Sequence, residues 1–192
     1  MIKWLSKKVV EYWKQKEIVK EADAESYQYG MELVISTLTN FILMMLISVY
    51  MIRQPLAFIF YTIVYAPLRA MAGGYHADSH FKCVLYTQVT FIAFIFSIAY
   101  LAGQNIKLVI VSFAIAVLII LFMSPVAAKN KPLTQKEKSR QKHNTWKFEM
   151  MLIAILIFFG INPKIGNEII LYIVAANVSV AFSLLIEKYS NK

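Results

Sequence analysis

Residues 69–83 read Arg69-Ala-Met-Ala-Gly-Gly-Tyr-His-Ala-Asp-Ser-His-Phe-Lys-Cys83, a polar interruption between long apolar runs. The stretch holds the only cysteine, two of the three histidines and the only Gly-Gly pair of the chain. A thiol is a poor nucleophile until it ionises, and its usual pKa of about 8.5 leaves only a few per cent as thiolate at neutral pH. An imidazole within hydrogen-bond reach removes that limit and can later protonate a leaving amine. His80 lies three residues before Cys83, about one turn away on an unbroken helix. His76 lies seven before it, on the same face but roughly 10 Å along the axis. Geometry therefore mildly prefers His80, and His76 reaches Cys83 only if the chain bends between them. Gly73-Gly74 permits a bend but precedes His76.

Other readings of the same residues stay open. Cys83 can be a small hydrophobe beside a membrane helix, and Gly73-Gly74 can simply end the helix before it. His76, Asp78, His80 and Cys83 can be metal ligands, since His-x-x-x-His puts two imidazoles on one helical face. Nothing matches His-Glu-x-x-His, so neither a metal nor another cofactor is expected. Arg69 can orient a substrate carboxylate, help an oxyanion, or merely snorkel to headgroups. Gly73 and Gly74 can bring backbone N–H groups to a scissile carbonyl, and Asp78 can orient a histidine.

The surrounding chain must hold these groups in a bilayer. Of 192 residues, 59% are hydrophobic and 16% charged, and the mean hydropathy is +0.57. A soluble domain of this size carries about a quarter charged residues. Uncharged or nearly uncharged runs at 33–52, 56–72, 84–102, 108–128, 150–163 and 169–186 predict an all-α integral membrane protein with about six, five to six, transmembrane helices in one membrane domain over 1–192. The run 150–163 is short for a span. Within 1–29, Ile2, Leu5, Val9, Tyr12 and Trp13 recur at helical spacing among six lysines. That pattern predicts an amphipathic helix lying on the membrane surface or against the protein's own loops. Six spans with a cytoplasmic N-terminus put 17 of the 20 Lys and Arg inside and three outside, the bias expected of cytoplasmic loops. The net charge of +9 is thus read as membrane topology rather than nucleic-acid binding. Both 69–83 and the basic stretch 129–147, read as a loop, then face the cytoplasm, where a lone thiol stays free.

Arg69-x-x-x-Gly73-Gly74-Tyr75-His76-Ala77, followed six residues later by Cys83, resembles the signature of the accessory gene regulator B (AgrB) family. Ser124-Pro125-Val126 followed by Asn130-Lys131-Pro132-Leu133 resembles a second family segment, and the run pattern agrees along essentially the whole chain. These are bacterial membrane peptidases that process autoinducing-peptide precursors for quorum sensing. The resemblance implies that His76 and Cys83 are the catalytic pair, hence a bend between them. It implies a cysteine endopeptidase, cell-membrane localisation and an active site on the cytoplasmic side. The implied substrate is a short amphipathic propeptide with an acidic tail, held as a thioester and in most cases closed to a thiolactone. The stretch containing Lys129 and Lys131 can hold that tail, or serve only as a cytoplasmic retention loop. Membrane lipid is the second partner, and a homodimer is left open.

The alternative function is a peptide exporter without proteolytic activity, its path lined by Asn40, Gln88 and Asn177. No nucleotide-binding loop is present. No acidic residue is expected in mid-helix to couple protons, which weighs against export.

Overall fold

The computed structural model describes residues 2–73, 79–127, 133–160 and 163–190. They form eight α-helices: α1 (Ile2–Gln15), α2 (Ala24–Leu46), α3 (Pro55–Phe60), α4 (Ala66–Ala72), α5 (His80–Ala102), α6 (Ile106–Met123), α7 (Gln135–Gly160) and α8 (Pro163–Ser190). Wider π-type turns occupy Ile47–Met51 and Tyr61–Tyr65. Five stretches are long and apolar enough to cross a bilayer: Glu21–Tyr50, Pro55–Ala72, Phe81–Ala102, Ile106–Met123 and Glu168–Lys188. The chain is an all-α membrane protein, with five such helices among the described residues.

Its core is built on α8. Tyr172, Ile173, Val174, Ala175, Ala176 and Asn177 are six consecutive buried residues. Six residues exceed one turn of 3.6, so α8 is enclosed around its whole circumference there. It packs against α5, α6, α7 and the Tyr61–Tyr65 turn, and Phe60 stacks on Tyr172 with ring centroids 5.0 Å apart. Ala175, Ala176 and Ala181 let neighbouring backbones come close, which is how helices associate where lipid is as apolar as leucine. Phe96 and Phe122 point outward, as lipid-facing residues do.

The span Pro55–Ala72 is not a uniform helix. Pro55 opens it at a position where the missing N–H costs nothing. Pro67 lies inside it and cannot donate to the carbonyl four residues back. The ladder widens just upstream, where the Ala66 N–H reaches back to the Tyr61 carbonyl. The π-turn lets the helix pass the proline and continue to Ala72.

Three expectations are corrected. The N-terminal helix spans Ile2–Gln15 rather than 1–29. Glu17, at φ 56°, closes it with the Ile18 N–H on the Trp13 carbonyl and the Glu17 N–H on the Lys14 carbonyl. The chain then turns back, and α1 packs on α2 through Ser6 and Val10, while Trp4, Leu5 and Tyr12 stay exposed. The basic stretch 129–147 is helical from Gln135 onward. Thr134 and Glu137 cap that helix reciprocally: the Thr134 N–H donates to Glu137 Oε2 at 2.8 Å and the Glu137 N–H to Thr134 Oγ1 at 3.3 Å. The apolar run 150–163 is therefore the second half of α7. Its part up to Gly160 rises only about 16 Å, half a hydrocarbon core.

Successive spans alternate in direction. The end of α4, the start of α5, the end of α6 and the start of α7 thus gather at one end of the bundle, with α1 beside the start of α2. Arg53 and Lys107 lie at the opposite end.

Candidate functional site

Ser79 is extended, at φ −145° and ψ 150°, and caps α5: its Oγ accepts from the Lys82 N–H, and its carbonyl from the Cys83 N–H at 3.0 Å. This cap puts Cys83 on the first turn of α5, as an exposed free thiol. His80, the first residue of α5, is one turn from Cys83 on the same helix. The helix does not extend back through Ser79, so the 10 Å separation computed for His76 on a continuous helix does not apply. His76, Gly74, Asp78, Lys129 and Lys131 lie outside the described residues.

Gly73 ends α4 at φ 80° and pairs with Val126 in a parallel bridge, the Val126 N–H donating to the Ala72 carbonyl at 3.0 Å. A β-carbon on Gly73 would collide with the Val126 carbonyl oxygen. Only glycine combines this close approach with that backbone angle at little strain. The two sequence segments that carried the resemblance therefore meet in space.

Below Cys83, the same face of α5 carries Tyr86, Thr87 and Thr90, at helical spacings of three, four and seven. Facing it are Tyr61, Tyr65 and Arg69, spaced by four. Arg69 is half-buried. Its Nη2 donates to Tyr86 Oη at 3.4 Å, and its buried Nε has no partner among the described residues. Arg69 is thus tied to the cysteine-bearing helix and is more than a headgroup anchor. Tyr61 Oη pairs with Thr90 Oγ1 at 2.7 Å. Tyr65 stacks on Tyr61 at 4.3 Å and is 3% exposed, its hydroxyl lying beside those of Tyr61 and Thr90. The sequence reading missed these tyrosines and threonines, although their spacing relative to Arg69 and Cys83 marks them.

A second omission lies on α7. Glu149 sits in the middle of that helix at 0% exposure, and neither carboxyl oxygen has a partner among the described residues. Burial pushes its pKa up to about 8. Glu149 borders the apolar run 150–163 and lies outside the five stretches long and apolar enough to span. By contrast, Lys136, Lys138 and Arg140 are each exposed on the first turns of α7.

Of the polar residues offered for a transport path, Asn40 and Gln88 bond to each other, Gln88 Nε2 donating to Asn40 Oδ1 at 3.0 Å, and so join α2 to α5. Asn177 donates to the Ile173 carbonyl of its own helix at 3.1 Å. They do not form a shared lining.

The family model described as "Accessory gene regulator B" matches residues 6–185. An AgrB-like protein of Clostridium beijerinckii is 25% identical over 137 residues, covering 71% of this chain and 68% of the relative. An AgrB-like protein 2 of Clostridium perfringens strain 13 is 27% identical over 164 residues, covering 78% of this chain and 75% of that relative. No solved structure matches the chain.

Proposed function

The chain belongs to the accessory gene regulator B family, and from that premise we propose that it is a membrane-embedded cysteine endopeptidase that cuts the C-terminal part from a quorum-sensing propeptide. The observation that carries this reading is the free, exposed Cys83 on the first turn of α5, above the Arg69–Tyr86 contact on the same face. Membership places the chain in the accessory gene regulator system; the chemistry below is our reading.

His76 takes the proton of Cys83, and the thiolate adds to the scissile carbonyl carbon. Negative charge develops on the carbonyl oxygen, and the backbone N–H groups of Gly73-Gly74 and the Arg69 guanidinium are the donors assigned to stabilise it. As the C–N bond breaks, the imidazolium returns its proton to the leaving amine, and the N-terminal part stays as a thioester on Cys83. A cysteine thiolate within the propeptide then attacks that thioester, forms the thiolactone and releases Cys83. One thioester replaces another, so the step is nearly balanced, and water must be kept from the acyl-enzyme. Asp78 orients a histidine.

The same reading puts the N-terminus and the Cys83 end of the bundle in the cytoplasm, where α1 and the start of α7 together carry nine of the 20 Lys and Arg. Lys129, Lys131 and the exposed cations of α7 then meet the acidic tail of the propeptide, with α1 at the lipid surface. Export without cleavage is the second reading, and Glu149, a buried carboxyl without a partner among the described residues, is the observation that favours it.

Co-expression of the propeptide with wild type, Cys83→Ala, His76→Ala and His80→Ala, read by mass spectrometry, separates these readings. Loss of cleavage in the first two variants and its retention in His80→Ala is the expected pattern. Cleavage by Cys83→Ala would overturn the peptidase reading.

A further inference from the structure

The buried face of α2 consists of Glu32, Ser36, Asn40 and Met44, spaced by four, and the first three are polar. Val34, Leu38 and Ile42 of the same helix are exposed, as lipid-facing residues are. Polar side chains turned into a membrane bundle mark substrate paths more often than packing. The bond from Gln88 Nε2 to Asn40 Oδ1, at 3.0 Å, shows that this face meets α5. Successive spans alternate in direction, so α2 and α5, on the first and third, run parallel, and that bond sets their register. At 1.5 Å per residue, Ser36 is then level with Val84, beside Cys83, while Asn40 and Gln88 lie about 7.5 Å deeper than Cys83. The polar seam between α2 and α5 thus begins at the level of the thiol.

Gln88 has more hydrogen-bonding capacity than its bond to Asn40 uses. Its Oε1 is buried and has no partner among the described residues. That oxygen is an acceptor and calls for a donor. Lipid tails and ester carbonyls offer no donor. A peptide entering the apolar region brings main-chain N–H groups that must themselves be satisfied. Val84 and Thr87, between Cys83 and Gln88 on α5, are only half-buried, so a chain can lie across them. The cations of α7 lie on another side of the bundle, since α7 packs on α4, α6 and α8, whereas α2 packs on α1, α3 and α5. With the acidic tail assigned to those cations, the seam is left to the part of the propeptide that stays on Cys83.

We propose that the α2–α5 seam is the subsite for the N-terminal part of the propeptide, and that Gln88 Oε1, held in place by Asn40, accepts one of its main-chain N–H groups. An extended peptide advances about 3.3 Å per residue, so that N–H belongs to a residue about two to four positions before the cut. What is recognised is peptide backbone, whatever side chains it carries. This rests on the peptidase reading above.

The test uses full-length protein in lipid nanodiscs and synthetic acyl donors: the N-acetyl-Ala-Ala-Ala-Leu thioester of one thiol, and its four versions with a single main-chain N-methyl group. Attack of the Cys83 thiolate breaks the donor's C–S bond, forms the new thioester and releases the donor thiol. The adduct is followed by intact-protein mass spectrometry. In wild type, one of the four N-methyl groups should slow acylation about tenfold, the loss expected for one hydrogen bond. Gln88→Met keeps the side-chain length and loses the acceptor. It should slow the parent donor about tenfold and abolish the penalty of that one N-methyl group, leaving the other three as they were.

Asn40→Ala is the comparison, because it breaks the bond between the helices and leaves the acceptor. Its melting temperature should fall, and the same N-methyl group should remain the costly one. Equal penalties in wild type and Gln88→Met at all four positions would overturn the proposal, and so would a wild type indifferent to every N-methyl group. An adduct that persists in Cys83→Ala, or none on wild type with the parent donor, would remove the peptidase reading itself, and this one with it.

Discussion

Gly73 and Val126 meet backbone to backbone, joining the end of α4 to the segment that leaves α6. Fifty-three positions separate them in the chain, yet this bridge fixes where the polypeptide leaves α4 on its way to α5 and Cys83. Gly73→Ala places a methyl group against the Val126 carbonyl oxygen at a positive φ. The expected outcome is a loss of propeptide processing of at least tenfold with the helices retained, read by processing yield and far-ultraviolet circular dichroism. Full processing by Gly73→Ala would show that the bridge does not position the site.

Glu149 makes stability depend on pH. Its carboxyl holds a proton to about pH 8 in the folded chain and to about 4.5 when exposed, so between these values the folded state binds more protons. Stability is then fully present below about pH 4.5 and falls as pH rises towards 8. One pKa unit is worth about 1.4 kcal/mol, so the loss amounts to at most a few kcal/mol. Glu149→Gln should flatten the thermal-unfolding profile across this window and raise the melting temperature at pH 8 relative to wild type. A variant curve parallel to that of wild type would contradict this.

Asn40 and Gln88 act as a clamp between α2 and α5. A double-mutant cycle with Asn40→Ala and Gln88→Ala should return a coupling of about 0.6 kcal/mol, the usual size for such bonds in membranes. Zero coupling would return both residues to the list of path-lining candidates.

The exposed cations of α7 provide a salt-dependent test. Replacing Lys136, Lys138 and Arg140 together by Gln should weaken processing of a propeptide with an acidic tail severalfold at low salt. The difference should shrink as added salt screens the wild-type attraction. Equal processing at every ionic strength would assign these residues to topology alone.

What was legible in the sequence follows the range of each physical signal. The spans at 33–52, 84–102 and 108–128 were visible because lipid demands long uncharged runs; α5 covers the second, whereas α6 stops at Met123, where Ser124-Pro125 ends the helix inside the uncharged run. The start of α7 was hidden, because a polar, lysine-rich stretch reads as loop by composition. The reciprocal cap of Thr134 and Glu137 was the available local signal. Glu149 escaped because it adjoins the apolar run instead of interrupting it. Cys83 and Arg69 stood out by type, whereas Tyr65 and Tyr86 matter through partners on another helix. The Gly73–Val126 bridge has no local signature at all.

The central claim is that Cys83 carries the acyl group, and the most direct measurement is the intact mass of the enzyme during turnover. Wild type mixed with propeptide in nanodiscs should gain the mass of the propeptide's N-terminal part, and hydroxylamine should remove it, as it does a thioester. Cys83→Ala should show neither adduct nor product. Processing without any hydroxylamine-labile adduct, or processing by Cys83→Ala, would contradict the account.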